Sequence, residues 1–252
     1  MRRTAVLIFL TLLLAACQQP VKPDQTAVDA NKALFDQIRT GQEQGVLAQM
    51  SPDAQAEGAA VLAKIKAVIP ATPPKSITPV AASVAAGPGG RIEVLVVEYD
   101  FADRAIQFAT TLAQPKGAKD WKLGNFRLLE KTHKELAPNT LSLAGRSPGQ
   151  LAFFALAFTS PILMLAALVK VLRTPGLQNR WLWAAFALVG LFSFQMNWGN
   201  GLVLVNWMAL QIVGFWLVKG PSQFEPWMIS ATVPIGALLI LGGLVARKPK
   251  AA

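Results

Sequence analysis

Few side chains in this sequence could do chemistry. Glu98 and Asp100 stand two residues apart in the run Arg91 to Phe101 (RIEVLVVEYDF). Strand periodicity puts two such carboxylates on one face, the arrangement that a general acid and base require. With Tyr99 between them they form the candidate ligand-binding set, and Asp103 and Arg104 follow at a turn. A plainer reading is a solvated face carrying Glu98 and Asp100, with Tyr99 and Phe101 directed into a core. The absence of a partner set nearby favours it. His133 is the single histidine, in a polar stretch with Lys131, Lys134 and Glu135, and a metal site or triad needs further ligands or partners. Cys17 is the single cysteine, so neither an intrachain disulfide nor a cysteine-ligated metal can form. Gly87-Pro88-Gly89-Gly90 lacks the Lys-Ser/Thr of a phosphate loop and reads as a hairpin turn. No catalytic residue, metal site or cofactor is expected.

The elements that would position Glu98 to Asp100 are readable from periodicity. Val28, Leu34, Ile38, Val46 and Leu47 recur near helical spacing between Ala27 and Met50. Ser51-Pro52-Asp53 reads as the capped start of a second helix bearing Val61, Leu62, Ile65, Val68 and Ile69, which Pro70 ends. Four extended segments follow, at 80–86, 91–101, 105–113 and 121–129, separated by turn residues. Residues 27–135 are therefore expected to form an α+β domain of two helices and a curved antiparallel sheet. This order of elements, closing with Trp121-Lys122-Leu123-Gly124-Asn125-Phe126, resembles the NTF2-like superfamily in its small exported bacterial versions. The resemblance implies a sheet wrapped around the helices, in a family that includes enzymes, binding modules and assembly modules.

The N-terminus has the layout of an export signal: Met1-Arg2-Arg3, then an uncharged stretch from Thr4 to Ala16, too short to span comfortably. Its end, Leu14-Ala15-Ala16-Cys17, resembles the lipobox of bacterial lipoproteins. The resemblance implies removal of residues 1–16 and acylation of Cys17, with 17–26 (CQQPVKPDQT) as a lipidated tether. An uncleaved anchor, or a plain signal cut after Ala16, are the alternatives.

Of the 252 residues, 53% are hydrophobic and 15% charged, and the formal charge is +10. Residues 150–252 carry seven basic side chains against Glu225 alone. This excess borders apolar runs, as expected of cytoplasmic loops, so nucleic acid is not an expected partner. Residues 147–169 are uncharged, and Lys170, Arg173 and Arg180 follow. Residues 181–218 are again uncharged, and Trp227 to Val245 leads into Arg247, Lys248 and Lys250. After a linker at 136–149, the membrane region 150–246 is expected to be α-helical, with spans at 150–170, 181–198 and 227–246 and an interfacial segment at 202–224. The basic tail 247–252 would then be cytoplasmic. A four-span reading would turn at Trp198-Gly199-Asn200-Gly201 and leave that tail outside. Leu143-Ala144-Gly145-Arg146-Ser147-Pro148, Arg173-Thr174-Pro175, Trp181-Leu182-Trp183 and Pro234-Ile235-Gly236-Ala237 also resemble a group of uncharacterised bacterial membrane proteins that pair an NTF2-like exported domain with three spans.

The expectation is an inner-membrane lipoprotein, its N-terminal domain periplasmic and its C-terminus cytoplasmic. That domain would be a non-catalytic binding or scaffold module in an envelope complex. Its expected partners are membrane lipids and a membrane protein or further copies of itself. The alternatives are a periplasmic-side enzyme using Glu98 and Asp100, or a transport accessory with a polar path along Gln195, Asn197 or Gln211.

Overall fold

The computed structural model describes residues 22–50 and 52–243, so the signal 1–16, Cys17 and the tail 247–252 lie outside the described residues. The chain divides into two compact units, Met1–His133 and Lys134–Ala252.

In the first unit, α1 (Gln25–Thr40) begins at Asp24, whose carboxylate accepts from the Thr26 N–H at 2.9 Å. It ends at Gly41, which takes φ +83° so that its amide can turn back to the last carbonyls. Val28, Asn31, Leu34, Phe35 and Ile38 lie on its buried stripe. Two more helices follow, α2 (Glu43–Leu47) and α3 (Pro52–Val68). The antiparallel sheet runs β1 (Ser76–Gly87), β2 (Gly90–Asp100), β3 (Arg104–Pro115) and β4 (Lys122–Thr132) in chain order. Leu95, Val97 and Tyr99 alternate along β2, Ile106, Phe108 and Leu112 along β3, and all join α1 in one core. The β1–β2 reversal requires glycine: Gly90 sits at φ +136°, and a Cβ there would lie 2.3 Å from the Gln114 carbonyl oxygen.

The second unit opens with a single turn, α4 (His133–Leu136, its first residue in the first unit), and a 3-10 turn at Ala137–Asn139. Then comes α5 (Pro148–Arg173), started by a full capping box between Ser147 and Gln150. After it the expected α-helical transmembrane region is not what forms. Among the described residues, α5 is the one helix long and apolar enough to cross a membrane. The segment expected as the span 181–198 divides into α6 (Arg180–Ala187) and β5 (Val189–Asn197). The segment expected as 227–246 divides into β8 (Met228–Val233) and α7 (Ile235–Leu241), and 202–224 contains β6 (Val203–Ile212) and β7 (Phe215–Val218). Among the described residues both units are thus α+β, with two four-stranded antiparallel sheets. Hydropathy misled here because a buried strand and a buried helix are equally apolar. The conformation is set by features that hydropathy ignores: β-branched and aromatic residues with Gly190 in β5, and Pro234, which cannot donate to a ladder, at the junction of β8 and α7.

The α6–β5 and β8–α7 segments nevertheless run alongside the whole of α5. Gln150 in its first turn donates to the Trp198 carbonyl at 2.8 Å, and the Trp198 amide donates to Trp227 at 2.8 Å. At mid-length Met164 lies against Gly190, and in the last turn Lys170 Nζ donates to the Ile240 carbonyl at 2.9 Å. The second sheet has the order β6-β5-β8-β7, so consecutive strands occupy opposite edges. Only Val213 and Gly214 join them. Three strand spacings amount to about 14 Å in a flat sheet, while that link reaches at most about 10 Å, so the sheet must curl. Both linking residues take positive φ, +70° at Val213 and +48° at Gly214. A Cβ on Gly214 would collide with Thr232 Oγ1 and Ser160 Oγ, which seats this link at the middle of α5.

Candidate functional site

Tyr99, Glu98 and Asp100 do not form one site. The Tyr99 ring stacks on Phe35 at a centroid distance of 3.7 Å, and its hydroxyl donates to Asn31 Oδ1 at 2.8 Å. Asn31 Nδ2 in turn donates to Thr110 Oγ1 at 2.9 Å. Burial pushes the phenol well above its ordinary pKa, so Tyr99 is a core residue that fixes α1 on the sheet. Glu98, 5% exposed, stands opposite Gln107 on β3 and Thr78 on β1. Asp100 is paired elsewhere: His133 Nε2 donates to its Oδ1 at 2.8 Å.

That imidazole–carboxylate pair is a contact that the sequence does not announce, since His133 stands there in a polar stretch with Lys131, Lys134 and Glu135. The signal was present in the strand register. Thr132 pairs with Arg104, and the turn at Phe101 to Asp103 returns the chain to Asp100, so His133 and Asp100 meet at one corner. Arg104 bridges Asp103 and Glu130 there, and its guanidinium holds the Asp103 carboxyl below the ordinary range. Chemically the pair could relay a proton. The cavities at the β1–β3 tips, beside α3 and at the start of α5 are lined by other residues.

A second cluster missed in the sequence fastens the start of α1. Arg91 reaches Asp24 Oδ2 at 2.6 Å and Glu93 Oε2 at 2.9 Å, and Glu93 Oε1 accepts the Asp24 amide at 3.0 Å. The guanidinium lies over Trp121, whose Nε1 donates to Thr26 Oγ1. This clasp holds the chain at the N-cap of α1. Glu93, fully buried, is tolerated because Arg91 and an amide satisfy it.

The feature that separates this chain from an ordinary soluble fold is the exterior of the second unit. Leu156, Ile162 and Leu165 are exposed along α5, and only 22% of its apolar window is buried within the chain. Trp181 and Leu182 project at the start of α6, and on β6 Trp207, Leu210 and Ile212 are exposed while Met208 is 96% exposed. No charged residue falls between 181 and 218. Large apolar side chains exposed on all three elements are what a partner or a membrane would cover, because soluble monomers rarely show contiguous apolar patches beyond a few hundred Å². Lys170, Arg173 and Arg180 lie at the end of α5 and the start of α6. Two of the polar groups named for a conducting path make local hydrogen bonds. Gln211 Nε2 donates to Ser193 Oγ at 3.1 Å, and Asn197 Oδ1 accepts the Gly199 amide at 2.9 Å. Among the described residues no group of acidic, histidine or cysteine side chains could hold a metal. No family model, curated protein or solved structure matches this chain.

Proposed function

We propose that the chain is a bacterial inner-membrane lipoprotein whose first unit is a non-catalytic binding or scaffold module of NTF2-like type, presented to the periplasm in a cell-envelope complex. The observation that carries this reading is the uncharged, outward-facing apolar surface of the second unit, with a cluster of cations at one end. The second unit is embedded in the bilayer, and α5, about 39 Å long at 1.5 Å per residue, crosses it. Lys170, Arg173 and Arg180 mark the cytoplasmic end by the positive-inside rule, and the first unit joins α5 at the other. Acylation at Cys17 supplies a second attachment, and two attachments make membrane association stable. The open edge of β6 pairs with a strand of a membrane-protein partner.

Carbonate washing of membranes, with protease treatment of intact spheroplasts, tests the reading. The chain should stay in the pellet and its first unit should be digested from outside. Release by carbonate, or protection of the first unit, would remove the proposal. Cys17→Ser should abolish labelling by a fatty-acid analogue.

The Asp100–His133 pair favours a second reading, an enzyme acting on a periplasmic or lipid-linked substrate with this pair as proton relay. His133→Asn should then abolish function in cells without lowering the amount of protein. Unchanged function would dispose of that reading.

A further inference from the structure

At the start of α5 the second unit holds a cavity of 460 Å³ whose lining includes Lys134, Thr140, Ser142, Arg146, Gln150 and Asn200. No acidic side chain lines it. We infer that this cavity binds the phosphate oxyanion of an anionic glycerophospholipid headgroup at the outer surface of the membrane. The inference rests on the embedding of the second unit proposed above.

Arg146 is the centre of the site. Its Nε donates to the Ser142 carbonyl at 2.9 Å and its Nη1 to Trp198 at 3.0 Å. Its Nη2 donates to Pro138 at 2.7 Å and Thr140 at 2.8 Å. All four acceptors are neutral, so the guanidinium is rigidly held yet keeps its full charge. A guanidinium has five N–H donors, and these bonds leave one on Nη1. The Trp198 ring beneath it, 5.0 Å away, fixes the plane of the fork. Lys134 lines the same cavity and has no ion-pair partner among the described residues. Two cations without a counter-charge thus face one space, beside the Ser142 hydroxyl and the Asn200 amide as donors, while the Thr140 hydroxyl is given to the Ala137 carbonyl. The positive end of α5 adds to the same potential.

The shape is maintained by the backbone. Gly145 takes φ +75°, and a Cβ on Gly199 would come within 2.8 Å of Asn139 Oδ1. Asn139 Nδ2 donates to the Phe224 carbonyl at 2.9 Å, which ties this turn to the loop before β8. The volume falls within the range of small-ligand sites and exceeds what a phosphate alone requires. Location selects the source. The uncharged run begins at Ser147, one residue beyond Arg146, so the cavity opens where α5 would enter hydrocarbon, at headgroup depth.

The test uses the full chain in nanodiscs of phosphatidylcholine, with and without phosphatidylglycerol, and counts retained lipids by native mass spectrometry. Wild type should retain phosphatidylglycerol preferentially. Lys134→Glu should weaken retention about tenfold, the loss expected for one charge-assisted contact, and Asn200→Asp should weaken it as well. Both residues avoid the Arg146 cage, so both variants should fold. A second arm titrates inorganic phosphate calorimetrically into the detergent-solubilised chain. Saturable phosphate binding that Lys134→Glu weakens, without lipid enrichment, would support the oxyanion site but assign it a soluble ligand. Neither lipid preference nor phosphate binding would overturn the inference. Carbonate resistance of the same variants is scored separately, so loss of the headgroup site is distinguishable from failure of the embedding itself.

Discussion

Ile162 discriminates between lipid and water around the second unit. It lies near the middle of α5, 63% exposed, one residue past Pro161 and in none of the buried clusters. In water, an exposed substitution of this kind changes stability by less than about 0.5 kcal/mol. In hydrocarbon, an aspartate at a helix centre costs about 2.5–3.5 kcal/mol, because the carboxylate loses its hydration and, of the neighbouring outward side chains, Phe158 and Leu165 are apolar while the Thr159 hydroxyl is given to the Leu156 carbonyl. Ile162→Asp should therefore lower stability in lipid by about 3 kcal/mol, roughly a hundredfold in the equilibrium constant. For a chain of this size that corresponds to about 6–12 °C in Tm. Six of the seven tryptophans lie between residues 181 and 227, so tryptophan emission during thermal unfolding in bicelles reports chiefly on the second unit. Ile162→Ala is the control and should lose no more than about 1 kcal/mol. If Ile162→Asp melts within 1 °C of wild type, the α5 exterior faces water and the embedding is wrong.

Three further outcomes are expected of the first unit. Tyr99→Phe leaves Asn31 Oδ1 unpaired in the core and should cost about 1–3 kcal/mol, read from the shift in urea midpoint. Gly90→Ala should destabilise by at least about 1 kcal/mol, since the new Cβ would meet the backbone of Gln114 and Lys116 at a positive φ; an unchanged midpoint would contradict that geometry. Asp24 has its carboxyl pKa lowered from 3.8, first by the Thr26 hydroxyl and amide and then by Arg91. A depressed folded-state value means that its contribution is present above about 3.8 and lost as the pH falls through the depressed value. The stability difference between wild type and Asp24→Asn should accordingly persist at neutral pH and vanish in acid. A difference that grew on acidification would reverse the assignment.

What could be read in advance divides along physical lines. In the first unit, periodicity and turn chemistry locate elements well: Gly87 to Gly90, Ala102 to Arg104 and Pro115 to Asp120 coincide with the strand reversals, because glycine, proline and aspartate act locally. The Arg91 clasp and the Asp100–His133 pair are non-local. They depend on a register that joins positions 67 and 33 residues apart, and no single-residue pattern encodes it. In the second unit the apolar runs mark which segments lie alongside α5, but not their conformation. Val189 to Asn197 becomes a strand because its partners exist, β6 on one side and β8 on the other, and such partners are invisible to a window moving along the sequence. The headgroup cavity was hidden for the same reason: Arg146 is held by carbonyls from Pro138 to Trp198, and carbonyl positions follow only from the fold.

The open edge of β6 yields the last prediction. This strand has ten residues and among the described residues pairs on one side only, with β5; its register skips Trp207, Met208 and Ala209, and the Met208 amide donates to Asn206 Oδ1, so about half of the seven ladder residues present an N–H and a C=O outward. Lipid offers these groups no hydrogen bond, and each unpaired group in hydrocarbon costs several kcal/mol. Three or four such residues, with two groups each, would together exceed the whole 5–15 kcal/mol by which a domain is stable, so another backbone must cover the edge. A second copy fits poorly. Copies inserted with the same sidedness are related by an axis along the membrane normal, which would set two β6 strands parallel. A parallel ladder requires a one-residue stagger, and two-fold symmetry forbids that stagger. A strand from a different membrane protein carries no such restriction, and the absence of charge or proline in Val203–Ile212 leaves the edge open to it on either side of the bulge at Trp207 to Ala209. A photoreactive residue replacing Met208, at 96% exposure, should therefore form a discrete protein adduct in native membranes, with a mass other than twice the chain. The same probe at Ile162 should capture lipid alone. Lipid alone at both positions would mean that the edge is bare, and a bare edge at that depth is incompatible with the embedding from which the prediction was drawn.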